Sequence, residues 1–178
     1  MSAVAGLFQR VDQAERRMCV LANGVARRSM LRGAFRVASR LGDGVFWYAL
    51  IGSMPVWLGR PGWFAALQMA VTGALGLLLY KALKGRLVRE RPYVGLVGIE
   101  CAMPPLDRYS FPSGHTLHAV LFTVLATHHV PGLALLLLPF AATVAASRVV
   151  LGLHYPTDAV AGAALGAALA RGSIALVG

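Results

Sequence analysis

Acidic residues are scarce: the 178-residue chain has seven, against seventeen lysines and arginines. Charge of either sign makes up only 13% of the residues, while 57% are hydrophobic. That shortage excludes an ordinary soluble domain, which needs a polar shell. Cysteine is nearly absent. Cys19 and Cys101 stand far apart and match no metal spacing. The net charge of +10 comes without an aromatic-interleaved basic patch or a DNA-reading motif, so no nucleic acid partner is expected. An anionic membrane surface and an anionic substrate account for the charge instead. Arg10, Arg16 and Arg17 interrupt what would be the apolar core of a signal peptide. Repeats and low-complexity linkers are also missing.

What remains is a set of long apolar runs divided by short basic connections, which predicts an all-α, polytopic transmembrane helix bundle. Five spans are expected. They cover residues 45–59 (short for a span), 63–83, about 114–130, about 133–150, and a last one ending near Leu176. The second is long enough for about 30 Å of hydrocarbon at about 1.5 Å per residue. Gly73 and Gly76 in it, and Gly162 and Gly166 in the last, are small residues that permit close helix approach.

Residues 1–40 form a separate basic segment with eight arginines. Each arginine at the bilayer centre would cost roughly 2.5–3.5 kcal/mol, so this is not read as a span. Its apolar positions recur at helical spacing, which fits one or two amphipathic helices lying in the interface. A solvated basic tail is the plainer alternative. The chain thus divides into an interfacial segment, 1–40, and a transmembrane domain, 41–178.

Short turns make neighbouring spans antiparallel. Lys84 ends the second span, Ser113 and His115 begin the third, Arg148 ends the fourth and His154 begins the fifth. All therefore fall on one membrane face. Phosphoryl chemistry needs positive charge over three oxygens, an in-line nucleophile and an acid for the leaving group. Lys84, Arg91 and Arg148 can supply the charge. Ser113 and Gly114 sit at a helix start, where free backbone N–H groups favour an anion. His154 and Asp158 are four apart, so the carboxylate can fix the tautomer and leave the other ring nitrogen free to attack. His115 can protonate the departing oxygen. Singly, each has a plainer reading: juxtamembrane charges, an N-cap at Ser113, a first-turn carboxylate at Asp158. His118, one turn after His115, is read as packing or supporting the site. His128 and His129 fall at the opposite face.

Three stretches carry a family pattern. Lys84 is followed after six residues by Arg91-Pro92. Pro112 to His115 reads Pro-Ser-Gly-His. Ser147-Arg148 is followed after five residues by His154 and after three more by Asp158. Together they resemble the signature of the type 2 phosphatidic acid phosphatase (PAP2) superfamily, over roughly residues 41–176. The resemblance implies a metal-independent membrane phosphatase with no cofactor. It implies that His154 forms a phosphohistidine, that Asp158 orients it and that His115 is the acid. Lys84, Arg91, Ser113, Gly114 and Arg148 would hold the phosphate. The expected substrate is a lipid phosphate or diphosphate of the polyprenyl diphosphate, phosphatidylglycerol phosphate or phosphatidate class. A lipid A phosphatase or a lipid phosphotransferase could use the same site, and a non-catalytic anionic-lipid binder or transporter is the reading of another class. Many members have six spans, and against that pattern this chain is expected to lack the first. Because arginine and lysine concentrate on the site's side, the positive-inside rule puts the site on the cytoplasmic face of the cell membrane. Family precedent favours the periplasmic face.

Overall fold

The structure is a computed structural model that describes residues 3–177, with side chains described from Asp12 onward. Among the described residues every regular element is helical. Helices α1 (Ala3–Val25) and α2 (Ser29–Leu41) precede a bundle of α3 (Val45–Leu58), α4 (Arg60–Arg86), α6 (Gly114–His129), α7 (Ala134–Val150) and α8 (Pro156–Val177). One short turn of helix, α5 (Pro92–Gly95), lies in the long connection from 87 to 113. Among the described residues three helical runs are long and apolar enough to cross a membrane: Arg60–Arg86, Pro131–Val150 and Pro156–Val177. Val45–Leu58 is apolar but shorter.

Their outward faces are apolar, as a lipid-facing surface requires: Trp63, Leu67, Val71 and Leu78 on α4, Leu135 and Leu138 on α7, and Val160 on α8 are all exposed. The boundaries read from sequence fall within a few residues of the helices, with one difference at the start of α4. Arg60-Pro61-Gly62, read as a connection, is the first turn of that helix, and Gly59 alone separates it from α3. Proline is tolerated there because a first-turn residue has no intrahelical partner for its N–H.

The interior has an aromatic layer. Trp47 of α3 is fully buried, with its ring centroid 5.5 Å from those of Phe122 and Phe140. Its indole N–H donates to Gly42 O at 3.2 Å, fixing α3 to the turn that carries Asp43. Helices α6 and α8 approach until backbone meets backbone. A Cβ on Gly162 would lie 2.5 Å from Ser113 O, and one on Gly166 would lie 2.2 Å from Leu117 O. Only glycine permits that spacing, which seats the start of α6 directly against the first turn of α8.

The N-terminal helices are amphipathic, and each sends polar groups inward. Helix α2 leaves Met30, Val37 and Leu41 exposed but buries Ala38 and Ser39. Helix α1 buries Glu15, Cys19 and Asn23. The Asn23 amide donates to Glu100 O and Val150 O at 3.0 Å and accepts from Glu100 N at 2.9 Å. One side chain thereby ties α1 to the long connection and to the end of α7.

Candidate active site

Six of the eight site residues expected from sequence line one cavity of about 570 Å³: Lys84, Arg91, Gly114, His115, Arg148 and His154. The turn after α7 builds its centre. Leu153 N and His154 N both donate to Arg148 O at 3.0 Å, wrapping the chain around that carbonyl. His154 is buried, with Nε2 3.3 Å from Arg91 Nη1 and Nδ1 3.6 Å from Asp158 Oδ2. The second distance is too long for a hydrogen bond, and Nδ1 has no other partner among the described residues. Burial, then the positive charges of Arg148, Arg91 and Lys84, hold this imidazole well below its ordinary range. Those surroundings favour the neutral ring, the form in which a nitrogen can attack phosphorus.

Asp158 is fully buried and lies behind the cavity wall, where it accepts from Tyr155 N at 2.8 Å and from Arg89 Nη1 at 2.7 Å. Ser113 is also buried and does not line the cavity. Its hydroxyl caps α6, contacting Thr116 N at 3.4 Å and Thr116 Oγ1 at 2.9 Å. The backbone it caps still brings the first turn of α6, with Gly114 and His115, to the cavity.

The cations are held in set orientations. Arg91 donates to Leu153 O at 2.6 Å, Asp107 O at 3.1 Å and Asp107 Oδ1 at 2.6 Å. Lys84 Nζ lies 2.8 Å from both Asp107 oxygens. Burial alone would raise the Asp107 carboxyl, but Lys84 and Arg91 outweigh it and hold it below the usual range. Arg148 donates through Nη1 to Ser39 Oγ at 2.5 Å, and its buried Nε has no partner among the described residues. His115 Nε2 lies 3.3 Å from Asp43 Oδ1 without the alignment of a hydrogen bond. Burial raises the Asp43 carboxyl, partly offset by Arg148.

Away from these charges the cavity turns apolar. Trp47, Tyr48, Ile51, Leu77, Tyr80 and Phe122 line it between α3, α4 and α6. His118 stands at its side and joins two helices, with Nδ1 2.9 Å from Gly114 O and Nε2 3.2 Å from Gly73 O. The arrangement suits an anion at one end and a hydrocarbon at the other.

Sequence reasoning left out Asp43, Asp107, Ser39, Arg89 and Glu15. Scarcity was the usable signal. Four of the seven acidic residues (Glu15, Asp43, Asp107 and Asp158) contact this machinery.

Comparison with known proteins agrees with this geometry. The family model described as the PAP2 superfamily matches residues 64–178. Decaprenylphosphoryl-5-phosphoribose phosphatase from Mycolicibacterium smegmatis is 36% identical over 144 residues, covering 76% of this chain and 73% of that protein. Among solved structures, LpxE from Aquifex aeolicus superposes with a TM-score of 0.77 at 25% identity, over 89% of this chain and 93% of its own. A transmembrane PAP2-type phosphatidylglycerolphosphate phosphatase from Bacillus subtilis gives 0.75 at 26% identity, over 94% of this chain and 86% of its own.

Proposed function

The chain belongs to the PAP2 superfamily and is a membrane lipid phosphatase, and from that premise we propose that it works through His154 on a phosphate carried by a prenyl-linked lipid. One observation carries the reading. A buried imidazole, its Nε2 beside Arg91 Nη1, stands among Lys84, Arg91 and Arg148 at the polar end of a cavity whose remainder is apolar.

The steps follow from the contacts. The entering phosphate displaces the Asp107 carboxylate from Lys84 and Arg91 and takes their donors, with Arg148 Nε and the first-turn N–H groups of α6 completing the cradle. His154 Nε2 attacks phosphorus while Nδ1 keeps its proton toward Asp158. The P–O bond to the lipid portion breaks, and His115 gives that oxygen a proton. The ring carries positive charge in the phosphohistidine, and the Asp158 carboxylate on its far side favours that charge. Water, deprotonated by His115, then attacks the phosphorus and frees His154. Ser113 supports this by capping α6 rather than by touching the phosphate.

The apolar part of the cavity is suited to the chain of the substrate next to its phosphate. The name of the M. smegmatis relative motivates a prenyl carrier as the first to test. We further propose a cytoplasmic-facing site, because arginine and lysine concentrate in residues 1–40 and in the connection after α4. The function is tested by phosphate release in detergent with EDTA present. The panel holds prenyl-linked phosphates, phosphatidylglycerol phosphate and phosphatidate, with His154→Ala as the control. Release from a prenyl-linked substrate by the wild type alone supports the reading. A preference for diacyl lipids overturns the prenyl assignment, and release that stops with EDTA overturns a metal-independent mechanism.

A further inference from the structure

We infer that Glu15 of α1 and Arg89 of the long connection are positioning residues for catalysis, which makes the N-terminal helix part of the active site. Resting on the phosphohistidine reading above, the inference names residues that lie outside the three motif stretches or at their unspecified positions.

Arg89 joins two buried acids. Its Nη1 donates to Asp158 Oδ1 at 2.7 Å and to Thr157 Oγ1 at 2.8 Å, and its Nη2 donates to Glu15 Oε2 at 2.6 Å. Glu15 also receives Thr157 N at 3.0 Å and the Thr157 hydroxyl. The guanidinium carbon lies over the Tyr155 ring, 3.8 Å from its centroid. Tyr155 and Thr157 lie within the stretch from His154 to Asp158, so this one cluster holds the chain between nucleophile and carboxylate. Glu15 is 5% exposed and Asp158 is 0% exposed, too buried for either charge to be an ordinary solvated one. By contrast Asp12 and Arg16 on the same helix pair in the open, with side chains 53% and 56% exposed.

The physical consequence concerns Asp158. Its Oδ2, facing His154 Nδ1 at 3.6 Å, accepts from Tyr155 N, while Oδ1 accepts from Arg89. Without Arg89 the carboxylate is free to rotate or to take up a proton, and His154 loses its fixed partner. The two acids and one arginine leave a net negative charge beside the imidazole that becomes positive on phosphorylation. His154 meets the opposite field from its other neighbours, namely Lys84 of α4, Arg148 of α7, and Arg91 with its paired Asp107 in the connection.

The test uses the full-length protein with Arg89→Met, Arg89→Lys, Glu15→Gln and, as the surface control, Asp12→Asn. Two readouts are taken. The first is lipid-phosphate turnover. Arg89→Met and Glu15→Gln should lower kcat by about ten- to a hundredfold, as expected for a misplaced reacting group, with KM within about twofold. Arg89→Lys should recover most of the loss, and Asp12→Asn should match the wild type. The second needs no substrate: the rate at which diethyl pyrocarbonate modifies His154, followed by mass spectrometry against pH. Removing the Arg89 charge should move the acid limb of that profile up by about one pH unit. Removing the Glu15 charge should not move it up, and lysine should hold it near the wild-type position. General loosening would move both variants the same way. Folded Arg89→Met with wild-type kcat and an unmoved limb overturns the inference. If Arg89→Met does not fold, Glu15→Gln decides by the same split, with wild-type kcat counting against. A wild type that hydrolyses no lipid phosphate defeats the functional reading, while the modification profile still decides the positioning role.

Discussion

Replacing Gly162 by alanine tests how the bundle sets the site. The added methyl would lie 2.5 Å from Ser113 O and 3.3 Å from Leu117 N. Ordinary carbon–oxygen contact needs roughly 3.5 Å, so α6 and α8 must separate by about 1 Å at this level. The partner is helix backbone and cannot swing aside. This is also where Ser113 N donates to Asp158 O at 3.1 Å, the direct link between the turn bearing His115 and the helix bearing Asp158. Overpacking of this kind costs about 1–3 kcal/mol. A displacement of about 1 Å between acid and nucleophile costs about a hundredfold in rate. Gly172→Ala on the same helix is the matched control, since a Cβ there meets nothing within 4 Å. The assay is thermal melting in detergent alongside initial rates. Gly162→Ala should melt lower and lose about two orders of magnitude in kcat, while Gly172→Ala should do neither. A Gly162→Ala protein with wild-type melting and rate would refute the claim that backbone contact between α6 and α8 sets the catalytic distances.

Asp107→Asn removes the carboxylate that occupies Lys84 and Arg91. Asp107 itself is partly exposed, so losing its charge is worth roughly 0.5–1 kcal/mol, and inhibition by vanadate should tighten about two- to fivefold in a titration. Ser39→Ala deletes the hydroxyl that receives Arg148 Nη1. A hydrogen bond to a charged group is worth about 1.5–3 kcal/mol, so KM should rise by about tenfold or more in steady-state kinetics, and a changed kcat with constant KM would count against a role in phosphate binding. The depressed basicity of His154 sets a pH dependence. The unfolded chain binds a proton near pH 6.5 that the folded chain refuses, so stability should fall as pH drops below about 6.5. Melting temperatures from pH 7.5 to 5 should show that slope, and His154→Gln should flatten it.

Much of this was legible because membrane helices announce themselves by composition, and because antiparallel alternation alone brings Lys84, His115, Arg148 and His154 to one face. Helix starts were legible where chemistry marked them, as at Ser113. The supporting acids and hydroxyls were not, for a physical reason. Glu15, Ser39 and Asp107 act through contacts between parts of the chain 23 to 142 residues apart, and no local period encodes such pairings. The amphipathic pattern of α1 and α2 correctly predicted helices, yet a pattern of apolar and charged positions says nothing about a single inward carboxylate. Ser113 shows an ambiguity of another kind. Its type suits either capping or phosphate binding, and only the three-dimensional arrangement turns its hydroxyl to Thr116.

The most direct test of the central claim is acid-free quenching of turnover followed by peptide mass spectrometry for a phosphorylated histidine. The account predicts a phosphoryl group on the peptide containing His154 in the wild type and none in His154→Ala. Phosphate release that persists in His154→Ala, or a phosphoryl group on any other residue, would contradict it.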